Sequence, residues 1–178
     1  MKTKTIALSA AFLGCILAAN YVTSRYGMVP VGFGLMATAG TYFAGLSFVI
    51  RDSLQDAAGK RWTIAVITLG AALSFLVSDP FIALASAVAF GISELVDLGI
   101  YTPLRRKGYV RAAVASNVAG SLVDTVAFLT IAGFPVMTAV PGQLVGKLAV
   151  TLAAVLMVVT FRAVSRQPMQ PIGGGRDA

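Results

Sequence analysis

The chain has 178 residues, of which 57% are hydrophobic and 12% charged, whereas soluble domains carry about 45–50% and about 25%. With a mean hydropathy of +0.84 there is too little polar surface to wrap a core of this size in water, which excludes a soluble globule and indicates an integral membrane protein. Histidine is absent and Cys15 is the single cysteine, so an intrachain disulfide, the usual His/Cys metal sets and Ser-His-Asp or Cys-His catalysis are all excluded.

Six apolar stretches follow one another: Thr5 to Thr23, Met28 to Ile50, Trp62 to Ser78, Phe81 to Tyr101, Val110 to Phe134 and Pro141 to Phe161. Each is close to the length of about 20 residues that crosses a bilayer. Helix is the required conformation, because every backbone donor and acceptor must be satisfied inside hydrocarbon and the alternating segments of a barrel are missing. The expected architecture is therefore an all-α bundle of six transmembrane helices over residues 1–166, with no second domain. Pro30, Gly32 and Gly34 are expected to loosen the first turns of the second helix.

Three local patterns have simpler readings. Lys2 and Lys4 before a run ending in Leu17-Ala18-Ala19 also suit a cleaved signal peptide, although Asn20 favours a retained helix. Gly32-Phe33-Gly34-Leu35-Met36-Ala37 matches a GxGxxA dinucleotide fingerprint by letter, yet it opens a membrane segment and follows no strand, so it is read as coincidence. Residues 167–178, with Pro168, Pro171 and three consecutive glycines, have the composition of a disordered cytoplasmic tail.

The net charge of +7 does not point to nucleic acid, because the basic residues flank the apolar segments. Twelve of the fourteen fall on one side: Lys2, Lys4, Arg51, Lys60, Arg61, Arg105, Arg106, Lys107, Arg111, Arg162, Arg166 and Arg176. Arg25 alone falls on the other, and Lys147 lies inside the last segment. Cytoplasmic loops retain the excess of Lys and Arg, so both termini are expected in the cytoplasm of a multi-pass protein of the inner (plasma) membrane.

The informative residues are those that hydrocarbon should reject. Glu94 and Asp97 in the fourth segment, Asp124 in the fifth and Lys147 in the sixth are ionisable, and Asn20, Asn117 and Gln143 add amides. Helical spacing puts Glu94, Asp97 and Tyr101 on one face, aligns Asn117, Ser121, Asp124 and Phe128 in one stripe, and pairs Gln143 with Lys147. By depth, Asn20, Asp124 and Lys147 share an outer layer, while Glu94, Asp97 and Asn117 form an inner one. Such stripes are buried most cheaply against one another, which predicts a polar path through the bundle. The competing reading is structural: Asp124 and Lys147 neutralise each other, and Asn20 and Asn117 act as interhelical glue. Asp52 and Asp56, four apart with Lys60 continuing the face, are expected in a solvated loop or as a gate or ion-pair latch.

Taken together, Ala19-Asn20-Tyr21-Val22, Asp52-x-x-x-Asp56-x-x-Gly59, Glu94-x-x-Asp97-x-x-x-Tyr101 before Leu104-Arg105, Ser116-Asn117, Val123-Asp124-Thr125-x-x-Phe128 and Lys147 resemble the vitamin-uptake-transporter-type family of queuosine-precursor transporters. The resemblance runs from about Ala19 to Phe161. It implies six helices and uptake of a 7-deazaguanine: 7-cyano-7-deazaguanine, its aminomethyl relative or queuine. Where the family often has glutamate this chain has Asp56, and its short spacer loops leave little room for an external lid. On this resemblance Asn20, Glu94, Asp97, Asn117, Asp124, Phe128 and Lys147 are the candidate substrate residues. A carboxylate such as Asp124 or Glu94 would accept the adjacent N–H groups of a guanine-like edge, and Lys147, Asn117 or Asn20 would donate to the ring carbonyl. Phe128, Phe90, Tyr42 or Phe43 would stack on the ring.

The expected function is thus a carrier that alternates access around a midplane site, with protons as a coupling ion through Glu94, Asp97 or Asp124. No Walker-type phosphate loop is present, so any ATP-driven variant would be the substrate-binding S component of an energy-coupling-factor transporter, docked through small residues such as Ala7-x-x-x-Ala11. A structural or accessory membrane subunit is the alternative, and an enzyme lacks a nucleophile-base or metal constellation. The expected partners are the small-molecule 7-deazapurine and the lipid bilayer, with a homodimer left open and neither a cofactor nor nucleic acid called for.

Overall fold

The computed structural model of the protein describes residues 3–165. Among these residues the order is α1 (Thr3–Tyr26), β1 (Met28–Gly32), β2 (Leu35–Thr38), α2 (Thr41–Ala58), α3 (Lys60–Val77), α4 (Pro80–Arg105), α5 (Tyr109–Ile131) and α6 (Val136–Ser165). Five helices are long and apolar enough to cross a membrane: α1, α3, α4, α5 and the Val136–Met157 part of α6. The tail read from residue 167 onward lies outside the described residues.

The distribution of side chains is that of a protein surrounded by lipid. Arg51, Asp52, Asp97, Asn117 and Lys147 are at most 1% exposed, while Leu76 is 79% and Leu95 73% exposed. Water would drive the opposite arrangement, because it solvates charge and expels large apolar groups. In hydrocarbon the buried polar groups gain partners and the outward Leu, Ile and Val residues meet acyl chains.

Short connections make neighbouring helices antiparallel. α2 and α3 are separated by Gly59 alone, whose backbone (φ 81, ψ 166) breaks the helical path. Asp79 caps α4 by accepting hydrogen bonds from the Phe81 and Ile82 amides at 2.9 and 3.2 Å, with Pro80 in the first turn. Asp79 also donates its own amide to Ser24 Oγ at 3.0 Å, tying the α3–α4 turn to the end of α1. α1 packs on α2 and α3, α4 on α5, and α6 on α2 and α5. Two ends follow: a terminal end, where α1 begins and α4 finishes, and a hairpin end.

The second apolar segment departs from expectation. Met28 to Ile50 is not one helix: β1 and β2 pair antiparallel, with Met28 opposite Thr38 and Pro30 opposite Met36, before α2 starts at Thr41. Phe33 (φ 53) and Gly34 (φ 72) make the two-residue turn, and the Phe33 side chain is 97% exposed at its tip. Hydropathy is blind to this, because a strand and a helix of Val, Met and Leu score alike. The Gly32–Ala37 fingerprint therefore does follow a strand, but it turns into a second strand and opens no helix, so the coincidental reading stands for a different reason. The hairpin also supplies, at this end, the covering element for which the short loops left little room.

α2 runs eight residues further than its segment was drawn, to Ala58. Its 18 residues rise about 27 Å, close to the hydrocarbon thickness of about 30 Å. Arg51 and Asp52 are thereby carried inside the bundle instead of lying at its rim.

Candidate substrate cavity

Between the hairpin end and the middle of the bundle lies a cavity of about 680 Å3, counted to its open mouth. Every helix contributes to its wall: Asn20 and Thr23 from α1, Thr41 and Ser47 from α2, Ile67 and Ala71 from α3, Ser86 and Phe90 from α4, Asp124 and Phe128 from α5, and Gln143 and Lys147 from α6. Thr38 and Gly40 line it from the hairpin side.

The polar groups of this wall are held in place by their neighbours. Lys147 Nζ donates to Asp124 Oδ2 at 2.5 Å and to Thr125 Oγ1 at 2.9 Å. Gln143 Nε2 donates to Thr38 Oγ1 at 2.9 Å, and Asn20 Nδ2 to Ser74 Oγ at 2.8 Å. Close backbone approach sets these positions. A methyl at Gly45 would stand 2.8 Å from the Lys147 carbonyl oxygen, so glycine there lets α2 cross α6 at the lysine. A methyl at Gly142 would collide with the Met36 carbonyl oxygen, so only glycine admits the hairpin against α6.

A second polar layer sits toward the terminal end. Arg51 is fully buried and faces three carboxylates: its Nη1 donates to Asp52 Oδ1 at 2.7 Å, its Nε to Glu94 Oε1 at 2.9 Å, and its Nη2 pairs with Asp97 Oδ2. Asn117 Nδ2 donates to Asp52 Oδ2 at 3.0 Å and to the Ala113 carbonyl at 2.7 Å. One turn further out, Arg105 pairs with Asp56 Oδ2 at 2.9 Å, and Tyr101 donates its hydroxyl to Asp56 Oδ1 at 3.0 Å. Phe90, which lines the cavity, carries two further rings: Phe48 stacks on it with centroids 5.7 Å apart, and Phe12 meets it at 6.0 Å.

The candidate residues thus divide. Asn20, Asp124, Phe128 and Lys147 line one cavity, whereas Glu94, Asp97 and Asn117 are gathered with Asp52 around Arg51. Asp52 is not in a solvated loop, because α2 continues past it and covers it. Asp56 remains at the surface, but its partners come from α4, and Lys60 begins a new helix beyond Gly59. Of the aromatic candidates, Phe90 and Phe128 face the cavity, while Tyr42 and Phe43 are 43% and 40% exposed. Sequence reasoning missed Arg51, which it assigned to a cytoplasmic flank. The signal was present, since Ser47 and Arg51 share one face four residues apart and Asp52 follows. Thr38 and Ser74, the fixed partners of Gln143 and Asn20, carried no comparable mark.

The lipid-facing shell and the five helices long and apolar enough to cross a membrane define a multi-pass membrane protein, with a cavity that opens between its helices. Residues 75–162 match the family described as "Putative vitamin uptake transporter". The match takes in α4, α5 and most of α6, with Glu94, Asp97, Asn117, Asp124 and Lys147, and a transporter family is consistent with a role other than catalysis. Comparisons with curated proteins and with solved structures return no match.

Proposed function

We propose that this protein imports a queuosine-precursor base, 7-cyano-7-deazaguanine or a close 7-deazapurine relative, across the inner (plasma) membrane with both termini in the cytoplasm. The observation that carries the reading is the cavity in which Asp124, Lys147, Asn20 and Gln143 share a wall with Phe90 and Phe128. A flat heterocycle with adjacent N–H donors and one ring carbonyl matches that set. Asp124 gives one oxygen to Lys147 and keeps acceptor capacity for the pairing edge of the base. Lys147 and Asn20 supply donors for the carbonyl, and the two phenyl rings supply apolar faces for the purine plane. A base lacking those N–H groups would leave a buried carboxylate unmatched, which is the physical source of selectivity.

Transport follows from the two layers. The Arg51 cluster and the Phe12–Phe48–Phe90 group close the terminal end while the cavity holds the base. Rocking of α2 against α4 would part Arg51 from Glu94 and Asp97 and open the path to the cytoplasm. A cell that can neither make nor import the precursor, supplied with low 7-cyano-7-deazaguanine, provides the test. Expression of this chain is expected to restore queuosine in its tRNA, and the Asp124→Ala variant is expected not to. Absence of queuosine despite wild-type protein in the membrane would overturn the substrate assignment.

A further inference from the structure

The inner layer has a charge count that its arginine does not balance. Arg51 brings one positive charge against Asp52, Glu94 and Asp97, and none of the four residues is more than 4% exposed. Fully ionised, the group would hold two uncompensated negative charges inside the bundle, a state so costly that protonation is the cheaper solution.

The hydrogen bonds say where a proton sits. Asp52 has both oxygens engaged, one by Arg51 and one by Asn117, and Glu94 accepts from Arg51 Nε through Oε1 at 2.9 Å, with Oε2 buried in ion-pair distance of the same nitrogen at 2.7 Å but without a hydrogen bond. Each of these two carboxylates accepts at least one hydrogen bond from Arg51. Asp97 is different: its Oδ2 forms an ion pair with Arg51, but neither of its buried oxygens accepts a hydrogen bond, and Oδ1 has no ion-pair partner either. Asn117 has its amide hydrogens on Asp52 and Ala113, and its Oδ1 is buried without a donor. Ser121, fully buried on the same face of α5, has an unengaged hydroxyl, and Gly120 beside it brings α5 close to the Asp97 side chain. A proton on Asp97 Oδ1 neutralises one of the two uncompensated charges and gives the group a donor that can reach the Asn117 side of the cluster.

We propose that Asp97 is a resident proton site and that exchange of its proton accompanies reorientation of the carrier. This rests on the transport reading above and adds its energy source. The groups facing Asp97 are Arg51 and Asp52 from α2, Glu94 and, a turn beyond, Tyr101 from α4, and Asn117 and Ser121 from α5. Asp56 and Arg105 lie at the terminal end, and Asp124, held by Lys147 of α6, lies at the cavity. Ser121 is spaced helically between Asn117 and Asp124, so its hydroxyl offers a step from the cavity to the cluster. With the cluster closed, Asp97 keeps the proton. When α2 and α4 part and water enters, the proton passes from Oδ1 to water on the cytoplasmic side and leaves a carboxylate. The cluster then closes with Asp97 as a carboxylate, and a new proton reaches it from the cavity side before the next opening.

Infrared spectroscopy of the full chain in lipid vesicles tests the site without any substrate. The carbonyl stretch of a protonated carboxylic acid is expected at neutral pH in wild type and absent in Asp97→Asn; if that variant does not fold, Asp97→Glu is expected to keep the band at a shifted frequency. In the same vesicles, an inward proton gradient is expected to make wild type accumulate 7-cyano-7-deazaguanine above the outside concentration. Asp97→Asn is expected only to equilibrate it. No such band in wild type, a band unchanged by replacing Asp97, or accumulation by Asp97→Asn equal to wild type would overturn the proposal. A band that disappears in Asp97→Asn while wild type moves no base would uphold the proton site and overturn the substrate.

Discussion

The two polar layers of this bundle use the same chemistry to opposite ends. In the cavity layer one ammonium, Lys147, meets one carboxylate, Asp124, and the remaining wall is amide, hydroxyl and phenyl around open space. In the inner layer one guanidinium meets three carboxylates, drawn from α2 and α4, with an amide from α5 closing the set. A neutral pair next to a void leaves hydrogen-bonding capacity for a guest. A crowded set around a planar fork of donors spends its capacity on itself and locks helices together. On the proposed function, buried charge of similar cost serves recognition in one place and closure in the other, and the number of cations per carboxylate separates the two.

The largest effect should come from removing the hub of the inner layer. Arg51→Met leaves three buried carboxylates without their cation, and the folded bundle is expected to lose about 3–5 kcal/mol, read as unfolding in detergent at much lower temperature. A Tm close to wild type would break the contrast between the layers. Next in size is Gly142→Ala, whose methyl collides with the Met36 carbonyl and forces the hairpin off α6. Overpacking of this kind costs about 1–3 kcal/mol, and loss of the wild-type protease resistance around Phe33 would report it.

The cavity pair should behave differently from the hub. Lys147→Met and Asp124→Asn are each expected to abolish uptake, and the double variant is expected to be more stable than Lys147→Met alone, because it removes the orphaned charge. Thermal unfolding of the three variants measures the sign, and additive losses would show that the pair is not coupled. The smallest effect belongs to Asp56→Asn. Its bridge to Arg105 is at the surface, with side chains 26% and 40% exposed, so a loss of about 0–1 kcal/mol is expected. A larger loss would make that bridge part of the closure.

Most of the helical plan was legible because hydrocarbon imposes it: five of the six expected segments reappear as helices within a few residues of their drawn ends. The polar stripes were legible for the same reason, since Asn117, Ser121, Asp124 and Phe128 repeat at helical spacing and all four are buried. The hairpin was not, because apolarity is common to both conformations and only the positive φ angles at Phe33 and Gly34 distinguish them. Nor was the position of Arg51, because a charge ending an apolar run marks a membrane boundary unless partners on other helices await it.

By itself the sequence determined a membrane protein, its helical periodicity and which residues had to turn inward, since those follow from the cost of exposing charge to lipid and are paid segment by segment. Only the tertiary structure decided which inward residues meet. The division of Glu94, Asp97 and Asn117 from Asn20, Asp124 and Lys147 depends on where α2 crosses α4 and α6, and that crossing is set by the fit of Gly45 against Lys147 and of Phe48 against Phe90. Such contacts join residues far apart in the chain, and no local pattern encodes them.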